Sequence, residues 1–196
     1  MRITGILLAA GAGVRFGGGK LLAPLPDGTS LGRCAAANLI AVIPDVVAVV
    51  RPGDDALARE LAGAGARVTT CADAHTGMGA SLAHGVRVAV QAGNAGTGEA
   101  DALVVALADM PWIRAETIRD VADHLRRGEQ LVAPRYQGQR GHPIGFGATH
   151  FAALRALTGD QGARSVIASA GNVCWIDVDD PGVLRDVDLK TDIGDA

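Results

Sequence analysis

Ile3-Thr-Gly-Ile-Leu-Leu-Ala-Ala-Gly-Ala-Gly-Val-Arg-Phe-Gly-Gly-Gly-Lys-Leu-Leu22 decides the reading of this chain. An apolar strand, Ile3 to Ala9, runs into a loop with glycines at 11, 13, 17, 18 and 19. Such a backbone can turn several N–H groups toward one point, and without Cβ atoms a phosphate can approach closely. Arg15 and Lys20 punctuate the loop with positive charge. Lys20 and Lys190 are the only lysines among 18 basic residues, so an arginine-using sequence has placed a compact ammonium here. The stretch predicts a triphosphate site on a strand-to-helix turn. A solvated loop with an incidental lysine is the plainer alternative.

Two familiar phosphate loops fail on particular residues. The dinucleotide fingerprint Gly-x-Gly-x-x-Gly begins at Gly11 and Gly13, but Phe16 takes the third glycine's place. The P-loop ending Gly-Lys-Ser/Thr matches Gly19-Lys20, but Val14 replaces its first glycine and Leu21 its metal-binding hydroxyl.

Outward from this loop, short apolar runs alternate with amphipathic ones. Strands are expected at Ile3–Ala9, Val46–Val50, Arg67–Cys71, Ala102–Leu107, Leu131–Pro134 and Val173–Ile176. Helices are expected at Ser30–Val42, Asp54–Ala62, Gly79–Gln91, Ala115–Arg126, Thr149–Ala156 and Ala163–Ser169. Strand–helix alternation implies a mainly parallel sheet with helices on both faces, and ligands beyond the carboxyl ends of its strands. Gly93 to Glu99 reads as a surface loop, and Gln137 to Gly141 as a hairpin turn. The 196 residues suit one domain, 1–196.

The chain is 48% hydrophobic with net charge −3 and no basic run, so it carries no electrostatic footprint for nucleic acid. Cys34, Cys71 and Cys174 are too dispersed for a zinc or disulfide framework. The apolar start, Ile6 to Ala10, is too short for a membrane span or signal peptide, and a cytoplasmic location is expected.

Asp109, in Ala108-Asp109-Met110-Pro111, ends the apolar strand Ala102–Leu107. There it is either a Mg²⁺ ligand or a helix N-cap. Asp186, Asp188 and Asp192 form a second acidic cluster near the end of the chain. Asp186 and Asp192 read as solvated, whereas Asp188 serves the site if the chain returns to the sheet. Gly79 and Ser81 open a helix; Gly79 permits close approach, and Ser81 either meets the nucleotide or caps the helix. Arg140 and His142, in Gly138-Gln139-Arg140-Gly141-His142-Pro143, form a substrate-binding rim or belong to an ordinary hairpin. His75, His84, His124 and His150 have no metal-ligand spacing.

Taken in order, these segments resemble the nucleotidyltransferases of molybdenum-cofactor maturation, and within them the cytidylyltransferase (MocA-like) branch. Leu8-Ala9-Ala10-Gly11, Gly13, Arg15-Phe16-Gly17 and Lys20-Leu21-Leu22 resemble that family's nucleotide loop. Asp109-Met110-Pro111 resembles its metal motif, and Arg140-Gly141-His142-Pro143 its acceptor-side loop. Gly159-Asp160-Gln161-Gly162-Ala163-Arg164 resembles a further motif. The resemblance implies a three-layer α/β/α fold of the nucleotide-diphospho-sugar transferase type with a mixed, mainly parallel sheet. It implies nucleotide contacts by Ala9, Ala10, Gly11, Gly13, Arg15 and Lys20, with catalytic roles for Arg15, Lys20 and Asp109. Mg²⁺ would be held by Asp109 and Asp188, and the acceptor by Arg140 and His142. Leu189-Lys190-Thr191 stands where the family has Thr-Pro-Glu, although the aspartates are kept.

The implied reaction transfers CMP from CTP to a phosphorylated acceptor, molybdenum-molybdopterin, and releases pyrophosphate. Ala9-Ala10, where the guanylyl branch has Ala-Gly, favours a pyrimidine because the Ala10 Cβ narrows the space beside the base. A molybdoenzyme or its chaperone would be a partner. Other readings stay open: a nucleotidyltransferase using GTP or a sugar phosphate, an NAD(P)H-dependent reductase of a small aromatic substrate with Arg51 at a 2′-phosphate, and a non-catalytic cofactor carrier.

Overall fold

The computed structural model describes residues 1–91 and 100–194; the expected loop Gly93 to Glu99 lies outside the described residues. The chain runs β1 (Ile3–Leu8), α1 (Leu31–Ile40), β2 (Val46–Val50), α2 (Asp55–Gly63), β3 (Arg67–Thr70), α3 (Met78–Gln91) and β4 (Ala102–Leu107). It continues through α4 (Ala115–Arg126), β5 (Leu131–Tyr136), β6 (Gln139–Arg140), β7 (Ile144–Gly147), α5 (Phe151–Arg155), α6 (Arg164–Ser169) and β8 (Cys174–Asp177). The expected helix Thr149–Ala156 divides into a 3₁₀ turn, Ala148–His150, and α5.

The strands form one sheet in the order β3-β2-β1-β4-β7-β5-β6, with β8 paired to β5. Side chains alternate across it, as the two-residue period of a strand requires. Ile3 and Leu7 of β1 join one apolar cluster with Leu31, Leu39, Leu61, Val121 and Leu125 of α1, α2 and α4. Ile6 joins the opposite cluster with Leu82, Val86, Phe151 and Leu154 of α3 and α5. Strands buried on both faces read as continuous apolar runs, which is why Val46–Val50 and Ala102–Leu107 carry no polar residue. The α4 helix shows the complementary pattern: Ile118, Val121, Ala122 and Leu125 are its buried stripe. The result is the expected three-layer α/β/α architecture.

Two antiparallel pieces depart from the sequence reading. The turn of the expected hairpin is only Gln137-Gly138, both at positive φ (49° and 78°), and Arg140 is already back in the ladder opposite Arg135. Strand β8 occupies one edge of β5, so β6 and β7 share the other. They are one antiparallel strand interrupted by Gly141-His142-Pro143, across which the register slips by two residues. Strand β7 also pairs with β4, Ile144 opposite Val105. The interruption therefore lies beside the carboxyl end of β4.

Parallel register sets β1 beside β4, Leu8 opposite Leu107, and the Ala108 N–H donates to the Leu8 carbonyl at 3.0 Å. The glycine loop after β1 and the Asp109 segment after β4 thus leave the sheet side by side. No helix among the described residues is long and apolar enough to cross a membrane.

Candidate functional site

Three successive residues, Gly17, Gly18 and Gly19, take left-handed φ values of 92°, 91° and 66°, a run that side chains would resist. They swing the chain back so that Lys20 starts a short 3₁₀ turn whose next residue, Leu21, enters the core. Phe16 is also buried and pins the loop's middle. Lys20 is thereby fixed at its root, and its side chain is only 12% exposed.

Its ammonium meets both expected metal ligands. Nζ lies 2.8 Å from Asp109 Oδ2 and 3.7 Å from Asp188 Oδ1. Arg15 Nη1 lies 2.7 Å from Asp188 Oδ2, with an exposed arginine side chain. Two cations and two carboxylates from both ends of the chain are therefore in one cluster. Asp109 caps no helix, because α4 begins only at Ala115 behind Arg114, so the N-cap alternative falls. The tail does return to the sheet: Val187 is fully buried and its N–H donates to the Asp109 carbonyl at 2.9 Å. Asp192 is not a merely solvated acid. Its carboxylate accepts from the Leu189 and Asp188 N–H groups, which hold its pKa below the usual aspartate value.

Beside this cluster opens a cavity of about 680 Å³. Of the expected nucleotide residues, Ala10, Gly11, Gly13, Lys20 and Ser81 line it, together with Asp109. Ser81 lies inside the first turn of α3, which starts at Met78, so it is not the helix cap. Ala9 is in the core and donates its N–H to the Val49 carbonyl. Gly79 is also set back from the cavity. Its N–H donates to the Gly159 carbonyl at 2.7 Å, and a Cβ there would stand 2.7 Å from that oxygen and 2.8 Å from the Thr158 oxygen. Its missing side chain serves the close approach of the Thr158–Asp160 turn. Asp160, His75 and Met78 also line the cavity and were missed as site residues. Asp160 belongs to the Gly159–Arg164 motif, but only the packing at Gly77 and Gly79 brings that motif to the helix start. Arg51 lines the cavity too, its Nε 2.9 Å from Asp54 Oδ2.

Arg140 and His142 do not line this cavity. Arg140 is exposed on β6. His142, in the strand interruption, donates its backbone N–H to the Val183 carbonyl. Its Nδ1 is sealed and without a hydrogen-bond partner among the described residues. Burial lowers its pKa to about 4, reinforced by the Arg140 charge and opposed by Asp109. The imidazole is neutral at pH 7 and within the electrostatic reach of Asp109, on the side away from the glycine loop.

The family model described as MobA-like NTP transferase domain matches residues 5–173. The chain is similar to purine catabolism protein PucB of Bacillus subtilis (strain 168), 30% identical over 197 residues, covering 95% of this chain and 91% of PucB. It is similar to nicotine blue oxidoreductase of Paenarthrobacter nicotinovorans, 31% identical over 196 residues, covering 95% and 92% of the two chains. Among solved structures, Rv0371c of Mycobacterium tuberculosis H37Rv superimposes with a TM-score of 0.82 at 28% identity, covering 100% of this chain and 96% of that one. Rv0371c has also been solved in complex with manganese; that structure matches with a TM-score of 0.73 at 24% identity, over 91% and 89% of the chains.

Proposed function

The chain belongs to the MobA-like NTP transferase family and has the nucleotide-diphospho-sugar transferase fold; from that premise we propose that it transfers CMP from CTP to a phosphorylated acceptor, molybdenum-molybdopterin, and releases pyrophosphate. The observation that carries this reading is the meeting of Lys20, Arg15, Asp109 and Asp188 beside a glycine-lined cavity at the ends of β1 and β4.

A triphosphate brings several negative charges, and the phosphorylated acceptor brings more. Lys20 answers with a nearly buried point charge, and Arg15, which does not line the cavity, with an exposed fork on Asp188. The donor set suits a hard divalent cation: the two carboxylates that meet at the Lys20 ammonium offer only oxygens. Among the described residues no cluster of three or more His, Cys, Asp or Glu forms a metal site, so phosphate oxygens and water would have to complete the ligand set. Mg²⁺ held by Asp109 and Asp188 would supply charge neutralisation at the phosphates. The manganese complex of Rv0371c, a protein of similar fold, supports a divalent cation here.

In the transfer, an acceptor phosphate oxygen bonds to the α-phosphorus of CTP. The bond from that phosphorus to its β-bridging oxygen breaks, and the electron pair leaves with pyrophosphate. The attacking oxygen is already anionic, so no proton has to be removed. The protein's work is to position two anions and to balance charge. The Ala10 Cβ at the cavity wall supports a pyrimidine there. His142, neutral and beside Asp109, supports an acceptor on the far side from the glycine loop, with Arg140 at its rim. A molybdoenzyme or its chaperone then takes the product.

The test is a screen of four nucleoside triphosphates against molybdopterin-type and sugar-phosphate acceptors, reading pyrophosphate. CTP with the molybdopterin acceptor is expected to be turned over fastest; preference for GTP would overturn the base assignment. Substitution Ala10→Gly should relax the preference for CTP.

A second reading is favoured by one relative. The similarity to nicotine blue oxidoreductase and the position of Arg51 on the cavity wall support NAD(P)H-dependent reduction of a small aromatic substrate. NADPH titration of the protein distinguishes the two: saturable binding lost in Arg51→Ala, with no pyrophosphate release from any pair, would replace the transferase reading.

A further inference from the structure

The tail is tied at two points around one residue. On one side, buried Val187 donates its N–H to the carbonyl of Asp109 at 2.9 Å. On the other, the 3₁₀ turn Lys190–Ile193 carries Asp192 back along the chain. There Asp192 Oδ2 accepts two backbone N–H groups, from Asp188 at 2.8 Å and from Leu189 at 2.7 Å. The residue between these ties is Asp188, whose side chain reaches Arg15 and Lys20. Neither of those cations is ion-paired with Asp192.

We infer that Asp192 is a positioning residue, which holds the backbone of Asp188 so that its carboxylate stays beside that of Asp109. Resting on the divalent-cation reading above, the inference adds a residue that touches neither cation nor substrate. Its physical basis is the cost of ordering a segment with little packing around it. A partly exposed segment has few packing contacts to fix it, and Asp188 would lose its register with Asp109 if only Val187 held it. Two charge-assisted bonds onto one carboxylate oxygen supply the missing constraint. Groups that orient a metal ligand in this way are worth about 10–100-fold in metal affinity.

The test titrates the full-length protein with Mn²⁺, reading the free ion by electron paramagnetic resonance, with thermal unfolding of each variant alongside. Wild type should bind Mn²⁺, and Asp109→Asn should lose that binding. Asp192→Ala should weaken it by about 10–100-fold while the melting temperature moves little. Asp192→Asn should recover most of the affinity, because its amide oxygen can still accept both N–H groups. Affinity in Asp192→Ala equal to wild type would overturn the inference. So would Asp192→Asn as weak as Asp192→Ala, which would mean that only the charge matters. If Asp192→Ala does not fold, Asp192→Asn decides alone: affinity near wild type supports positioning, and affinity as low as in Asp188→Asn overturns it. If wild type and Asp109→Asn bind Mn²⁺ equally, the divalent-cation reading itself fails and the inference goes with it.

Discussion

Lys20 is shared between Asp109 and Asp188 before any phosphate arrives. The rigidity of that arrangement comes from Leu21 in the core and from three left-handed glycines on the other side. Lys20→Ala is expected to cost about 2–4 kcal/mol of transition-state stabilisation, the loss of one preorganised electrostatic group. Lys20→Arg should rescue poorly, since a wide fork must replace a compact ammonium on a side chain only 12% exposed, held 2.8 Å from Asp109 and 3.7 Å from Asp188. Single-turnover rates check both, and full rescue by arginine would reduce the residue to its charge. His142 gives a second test at this scale. Its folded pKa, about 4, lies below the ordinary 6.5, so the unfolded chain binds the extra proton between those values. Stability from the neutral imidazole is therefore complete above pH 6.5 and is lost as the pH falls toward 4. Wild type should lose about 2 kcal/mol relative to His142→Gln between pH 7 and pH 5. Denaturant unfolding at the two pH values measures it, and parallel losses in both proteins would show that another group controls the slope.

Helices and strands differ in how much of them the sequence discloses. The strand–glycine loop of β1 and the Asp109 segment of β4 are legible because both are local: an apolar run, then glycines or an acid. Strand β7 is hidden by Gly145 and Gly147, which look like breakers. Gly145 is there because α4 packs so closely: a Cβ would meet Leu125 Cδ1 and Val121 Cγ1 at 2.9 Å. The setting of His142 depends on the register slip between β6 and β7, and the role of Asp192 on the tail's return, neither of which is local. Gly79 looked like a ligand contact and is a packing contact, since helix starts that meet phosphate and helix starts that meet another turn need the same residue. Gly79→Ala gains about 1 kcal/mol of helix propensity. It presses a methyl on the Thr158 and Gly159 carbonyls, backbone that cannot rotate away. Overpacking of about 1–3 kcal/mol should win. The net cost, up to about 2 kcal/mol, should lower the melting temperature by roughly 2–8 °C; an unchanged or raised value would mean that the turn yields freely.

Over the whole molecule, the site is assembled from both ends of a single chain. Ending the protein after Val187 keeps that buried residue and its bond to Asp109 but removes Asp188 and Asp192. Calorimetric titration of this truncated form should show Mn²⁺ binding lost and metal-free pyrophosphate binding retained or strengthened, because Lys20 and Arg15 no longer share their charge with Asp188. Retained Mn²⁺ affinity would contradict the placement of Asp188 in the site. The span between Arg15 and Asp188 is 173 residues. A ribosome adding about 5–20 residues per second takes on the order of ten seconds or more to travel that distance. Throughout that interval the glycine loop carries its two cations with no Asp188 to meet them. A chain interrupted before Asp188 is therefore left with a phosphate-attracting loop and no second carboxylate beside Asp109.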